Sequence, residues 1–160
     1  MSASSGNDAG LGVRKTCLFC DCWNRPAQDL DNLIVHRTSQ CLVMLNRYPY
    51  NGGHLMVVPR DHAGSLPSVP VDQRQELMDL TAAAVEIAQE LWNPDGFNIG
   101  INQGQASGAG IPDHVHLHVV PRWHGDTNFM TTIGDSRVVC IDLARAQSSL
   151  VAGFGRHYSR

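Results

Sequence analysis

Residues 113–122 read DHVHLHVVPR, with histidine at positions 114, 116 and 118 and an apolar residue at 115, 117 and 119. Alternation at a period of two marks a strand, in which side chains two apart share a face, about 6.6 Å apart along the chain. The run predicts a strand over 114–123 that turns Val115, Leu117 and Val119 into a core and presents His114, His116 and His118 together. One buried histidine is ordinarily a structural residue with both ring nitrogens satisfied. Three in register multiply that demand, and a buried imidazole without partners is costly. Two chemical readings follow. The histidines hold a metal such as zinc, iron or copper, or one is a nucleophile and another a general acid.

Immediately upstream, GQASGAG at 104–110 places Gly104, Gly108 and Gly110 within one short loop. Such a loop can turn several backbone N–H groups toward an anion. A plain flexible turn has the same composition. Running into a histidine strand, the loop favours phosphoryl or nucleotidyl transfer over redox metal chemistry.

Further upstream, NLIVHRT (32–38) and CLVMLN (41–46) are β-prone runs separated by Ser39 and Gln40, a hairpin pattern. Pro49 and the triplet Asn51, Gly52 and Gly53 signal a turn, and 54–59 reads as a third strand. Residues 73–92 carry Leu77, Leu80, Ala84, Ile87 and Leu91 at helical spacing, the pattern of a helix packed on a sheet. The helix stops at Asn93-Pro94-Asp95-Gly96, and 97–103 is a fourth strand. After 123 the chain is irregular to about 137. An apolar run at 138–142 and a modest helix over 143–151 follow. These elements predict an α+β domain with a mostly antiparallel sheet.

The 160 residues, 42% hydrophobic and 17% charged, suit one globular domain with a real core. A net charge of −3 supplies no basic footprint for nucleic acid or a membrane surface, and no apolar run is long enough to span a bilayer. Residues 1–13 are polar and glycine-rich and read as a disordered tail without the apolar core of a signal peptide. Five cysteines, an odd number, in a chain that needs no disulfides predict a reducing, cytoplasmic setting. Cys17 and Cys20 form a Cys-x-x-Cys pair, a possible metal hook. Cys22 is spare, and Cys41 and Cys140 lie in apolar runs where buried thiols are the default. Arg122, Trp123 and His124 follow the three histidines and have packing or surface roles as readily as a place in a substrate pocket.

The run HVHLHVV (114–120) fits the pattern His-φ-His-φ-His-φ-φ, with φ apolar, and so resembles the histidine triad family. MLNRYPYNGGHLMVVPRDH (44–62), GFNIGINQGQASGAGIPDH (96–114) and VVPRWHGDTNFM (119–130) are similar to its branch of bacterial-type dinucleoside polyphosphate phosphorylases and hydrolases. The likeness covers about 17–142. It implies the family's fold, with about five antiparallel strands, one long helix and a short C-terminal helix, in a domain at 14–152 followed by a tail at 153–160. It also implies a twofold homodimer and an adenine nucleotide substrate such as diadenosine tetraphosphate.

In that resemblance His116 attacks the α-phosphorus to give a covalent nucleotidyl-histidine, which water or phosphate resolves. A backbone carbonyl holds its other ring nitrogen. His118 assists the leaving group, Asn46 meets the ribose, and His54 supports the site. Asn102 and the loop of Ser107, Gly108, Ala109 and Gly110 meet the phosphates. Where relatives carry a hydroxyl residue in this loop, the chain has Ala109-Gly110-Ile111, and Ser107 is the nearest substitute. The zinc-bearing members imply a structural zinc on Cys17, Cys20, His62 and His114. A divalent ion such as Mg²⁺ has room to accompany the polyphosphate. Hydrolysis of nucleoside phosphoramidates and a purely regulatory nucleotide-binding role are the alternatives on the same scaffold.

Overall fold

The computed structural model describes residues 17–126 and 142–158. A five-stranded sheet is built from β1 (Ile34–Arg37), β2 (Cys41–Leu45), β3 (Leu55–Pro59), β4 (Gly96–Ile101) and β5 (Leu117–Arg122). Its order is β1-β2-β3-β5-β4 and every neighbouring pair is antiparallel. The tail at 1–13 and the apolar run at 138–141 lie outside the described residues.

Strand alternation divides the molecule into two layers. Cys41, Val43 and Leu45 of β2, Leu55 and Val57 of β3, and Leu117 and Val119 of β5 face the helices α2 (Val71–Trp92) and α3 (Leu143–Tyr158). The stripe Leu77, Leu80, Ala84 and Ile87 of α2 fills that core, as its spacing predicts. Leu42, Met44, Met56 and Val58 point to the other side, where Phe19 and Cys22 of the short helix α1 (Leu18–Asn24) cover them. Register pairs Ile34 with Met44, Met44 with Met56, Met56 with His118 and His118 with Gly100. His118 therefore ends a row of apolar side chains on the α1 side.

Two expectations change. The ladder of β5 begins at Leu117, so His114 and His116 precede it rather than lying within a strand from 114. Their would-be partner β3 ends at Pro59, which has no N–H to offer. Val115 instead donates its N–H to the Ala63 carbonyl at 2.7 Å, and its side chain packs with Ala63 and Val69. The C-terminal helix runs to Tyr158, so 153–158 are helical and not a tail. Ala146, Leu150 and Phe154 continue its buried stripe. Gly153 sits where α3 crosses α2, and a Cβ there would lie 2.5 Å from Ile87 Cγ2. A similar close approach fixes the turn before β3: Gly53 has φ +75°, and a Cβ would lie 2.4 Å from Trp92 Cζ3.

Candidate active site

Between α1, β2, β3 and the glycine loop lies a cleft of about 450 Å³, lined mainly by apolar side chains, with His116 and His118 in its wall. That size and character suit a nucleoside-sized ligand. Met44 and Met56 line it from the sheet, Leu18, Phe19 and Cys22 from α1, and Ile111 from the loop.

The hydrogen bonds fix the protons on the histidines. A carbonyl only accepts and a backbone N–H only donates, while a neutral imidazole has one N–H and one lone pair. His116 Nδ1 lies 2.9 Å from the His114 carbonyl oxygen. Nδ1 therefore carries the proton, and Nε2 is the lone-pair nitrogen. The Tyr50 N–H donates to His54 Nδ1 at 3.1 Å, so His54 carries its proton on Nε2. That nitrogen lies 2.9 Å from His118 Nδ1 and donates to it. His118 must then carry its own proton on Nε2. Two neighbouring rings, with centroids 4.7 Å apart, thus hold opposite tautomers: one nucleophilic nitrogen and one donor.

Burial keeps all of them neutral at pH 7. It lowers His54 to about 3, with the neighbouring His118 and His116 adding to the effect. It lowers His118 to about 4, with His116 contributing. His116 is also held below the ordinary histidine value by burial, against the His114 carbonyl that raises it. A neutral, desolvated imidazole is a ready nucleophile.

Asn46 lines the cleft as expected. Its Oδ1 accepts the Tyr48 N–H at 2.9 Å and its Nδ2 lies 3.4 Å from His54 Nδ1. Gly108 and Gly110 line the cleft, whereas Asn102, Ser107 and Ala109 are not among its described lining residues. Gly108 needs its glycine, with φ +77°. The Ser107 hydroxyl donates to the Gly104 carbonyl at 2.7 Å, which commits it within the loop. Arg122 is committed too, in a two-pronged pair with Asp126 at 2.7 Å on each arm. Trp123 lines a separate hollow beside Trp92.

Sequence reasoning missed the α1 wall. Leu18, Phe19 and Cys22 recur at helical spacing within 18–22, which was the available signal. Phe19 packs its ring 4.9 Å from His116 and 5.3 Å from His114. Tyr50 was missed as well, since it acts through its main-chain N–H, which no side-chain pattern reveals.

On the far side of α1, Cys17 Sγ, Cys20 Sγ and the ring nitrogens of His62 and His114 all come within 4.8 Å of one another. Cys17 Sγ is 3.3 Å and Cys20 Sγ 3.7 Å from His114 Nδ1, and Cys20 Sγ is 3.4 Å from His62 Nδ1. Four nitrogen and sulfur donors at tetrahedral corners around a metal lie about 3.3–3.8 Å apart, for bonds of about 2.0–2.3 Å. His114 Nε2 donates to the Pro59 carbonyl at 2.9 Å, which leaves Nδ1 as the lone pair aimed at the cluster. The donor set fits a closed metal centre. It also separates His114, which faces the cluster, from His116 and His118, which face the cleft.

A family model described as the HIT domain matches residues 27–125. Over 111 residues the chain is 43% identical to AP-4-A phosphorylase of Mycobacterium tuberculosis, covering 69% of this chain and 57% of that protein. The chain thus spans little more than half the length of that relative. It is 32% identical over 110 residues to an uncharacterized HIT-like protein of Methanocaldococcus jannaschii, covering 69% of this chain and 81% of the other. A solved structure of a zinc-bound histidine triad family protein from Mycobacterium smegmatis matches with a TM-score of 0.71 at 27% identity. That match covers 90% of this chain and 96% of that one.

Proposed function

The chain belongs to the histidine triad family, and from that premise we propose that it is an enzyme cleaving dinucleoside polyphosphates, such as diadenosine tetraphosphate, at the α-phosphate. The observation that carries this reading is the pair of opposed tautomers. His116 Nε2 attacks the α-phosphorus and forms a P–N bond, while the bond to the bridging oxygen breaks. His118 Nε2–H hydrogen-bonds that oxygen as negative charge gathers on it, and the polyphosphate leaves as an anion. The His114 carbonyl, accepting from His116 Nδ1, stabilises the positive charge the ring acquires. Water or inorganic phosphate then attacks the phosphorus from the other side. The P–N electrons return to Nε2, and the attacking group releases its proton to solvent.

The base lies on the apolar wall of Phe19, Met44, Met56 and Ile111, and Asn46 meets the ribose. The main-chain donors of Gly108 and Gly110 face the developing oxyanion, where fixed dipoles accelerate most. Asn102, Ser107 and Ala109 belong to the same phosphate-meeting loop, with the Ser107 hydroxyl bracing it against the Gly104 carbonyl. Cys17, Cys20, His62 and His114 would hold zinc, and a full set of protein donors would leave the ion a structural role. The likeness to a phosphorylase of this substrate class and to a zinc-bound relative supports both assignments.

The test is incubation with diadenosine tetraphosphate, with and without inorganic phosphate, followed by nucleotide chromatography. ADP and ATP formed only with phosphate identify a phosphorylase; AMP and ATP without it identify an asymmetric hydrolase. His116→Asn loses about 10⁴-fold or more in turnover, the scale of removing a nucleophile. Unchanged turnover in that variant, or cleavage of phosphoramidates with the dinucleotide left intact, would overturn the reading.

A further inference from the structure

The metal cluster and the cleft are built on opposite sides of the same short helix. Cys17, the residue capping α1, and Cys20 face His62 and His114. Leu18, Phe19 and Cys22, interleaved with them, form a wall of the cleft. A helix of seven residues has little stability of its own, so its position is set by what fixes its ends. At the C-terminal end the Arg37 guanidinium donates to the Cys22 carbonyl at 2.9 Å and to that of Trp23 at 3.5 Å. At the N-terminal end, Cys17 makes no side-chain capping hydrogen bond, and the cysteine pair is the tie to the cluster.

A second path joins the same two places. His114 offers Nδ1 to the cluster, while its main-chain carbonyl, in the same residue, orients the nucleophilic ring of His116. Phe19 bridges the two rings, one on the cluster side and one on the cleft side.

We propose that metal binding and nucleotide binding are coupled through α1: ligation by Cys17 and Cys20 sets the cleft wall of Leu18, Phe19 and Cys22, and a nucleotide against that wall in turn holds the metal. The inference rests on the nucleotide reading above. It makes Cys17 and Cys20 positioning residues for the cleft rather than fasteners of the fold at large. Coupling of this kind is reciprocal, with one factor in both directions.

The experiment uses the zinc-loaded full chain with AMP as the probe. AMP affinity is measured calorimetrically before and after zinc is stripped by a chelator. Zinc affinity is measured by competition with a chromogenic chelator, with and without saturating AMP. Both ratios should agree and be at least about fivefold, the low end of ordinary coupling. Phe19→Ala, which keeps all four ligands, should bring the two-way factor toward one while zinc stays bound. Zinc-loaded protein that fails to bind AMP sinks the nucleotide reading itself. Equal AMP affinity with and without zinc overturns the coupling, and a factor unchanged by Phe19→Ala overturns its passage through the α1 wall, while the nucleotide reading stands in both cases. Loss of the sheet's circular dichroism in step with zinc also overturns it, because the metal would then staple the whole fold.

Discussion

At the scale of single residues, the site works by deciding where protons sit. His54 and His118 are buried with their pKa values lowered to about 3 and about 4, against about 6.5 in an unfolded chain. Between those limits the unfolded chain binds protons that the folded one refuses, so stability falls as pH drops from about 7 toward 4. Each histidine contributes a slope of about 1.4 kcal/mol per pH unit within its window. Urea unfolding at pH 7 and pH 5 should show this loss. His118→Asn, which removes one of the two groups, should make it shallower, and an equal slope in the variant would refute the assignment. Within the folded protein, His118 should not titrate between pH 8 and 5, as long-range ¹⁵N spectra of the ring nitrogens would report.

At the scale of elements, glycine placement governs how the helices meet. A Cβ at Gly153 would lie 2.5 Å from Ile87 Cγ2, a β-branched methyl in a fully buried side chain, so the ring of neighbours has little room to give. Gly153→Ala should cost about 1–3 kcal/mol, the range for overpacking a core, read as a lowered urea midpoint. A neutral result would mean that α3 slides freely over α2. This residue also shows where sequence reading stops. From the chain the helix is expected to stop at 151, short of this glycine, yet Phe154 keeps the helix's buried stripe going, and only the crossing with α2 explains the glycine. By contrast, the strands at 41–45 and 55–59 were legible as short β-prone apolar runs bounded by turn signals, buried on both faces, and the long helix because one face is apolar at helical period. The three histidines were not separable from spacing alone, since equal spacing gives equal standing. What separates them is where each ring lies, His114 with its Nδ1 at the cysteine pair and His116 and His118 in the wall of the cleft. The α1 wall of the cleft went unread for a different reason: its residues were masked by the cysteine hook they interleave with.

At the scale of the whole molecule, the sheet gives one face to the helices and the other to the cleft, and leaves β4 as an outer strand. Ile99 is exposed on that strand, and an edge with no further strand among the described residues and an exposed apolar side chain invites a second copy. We expect a twofold dimer joined there, with light scattering giving twice the chain mass at micromolar concentration. A monomer mass that Ile99→Lys leaves unchanged would dismiss it. One feature of the cleft bears on what inheritance is free to alter. The protonation of His118 is set two steps away by the main-chain N–H of Tyr50, a group every residue but proline possesses. The pattern is therefore written in the length of the turn at 51–53 and in its Gly53, where a Cβ would run into Trp92, and not in the side chain of Tyr50. Tyr50→Phe should leave turnover within about threefold, because the N–H and the stacked ring both survive. Inserting a single residue into the turn should silence the enzyme while the sheet still folds. Lineages descended from such a chain can change the letter at 50, proline excepted, but neither the count of this turn nor its Gly53.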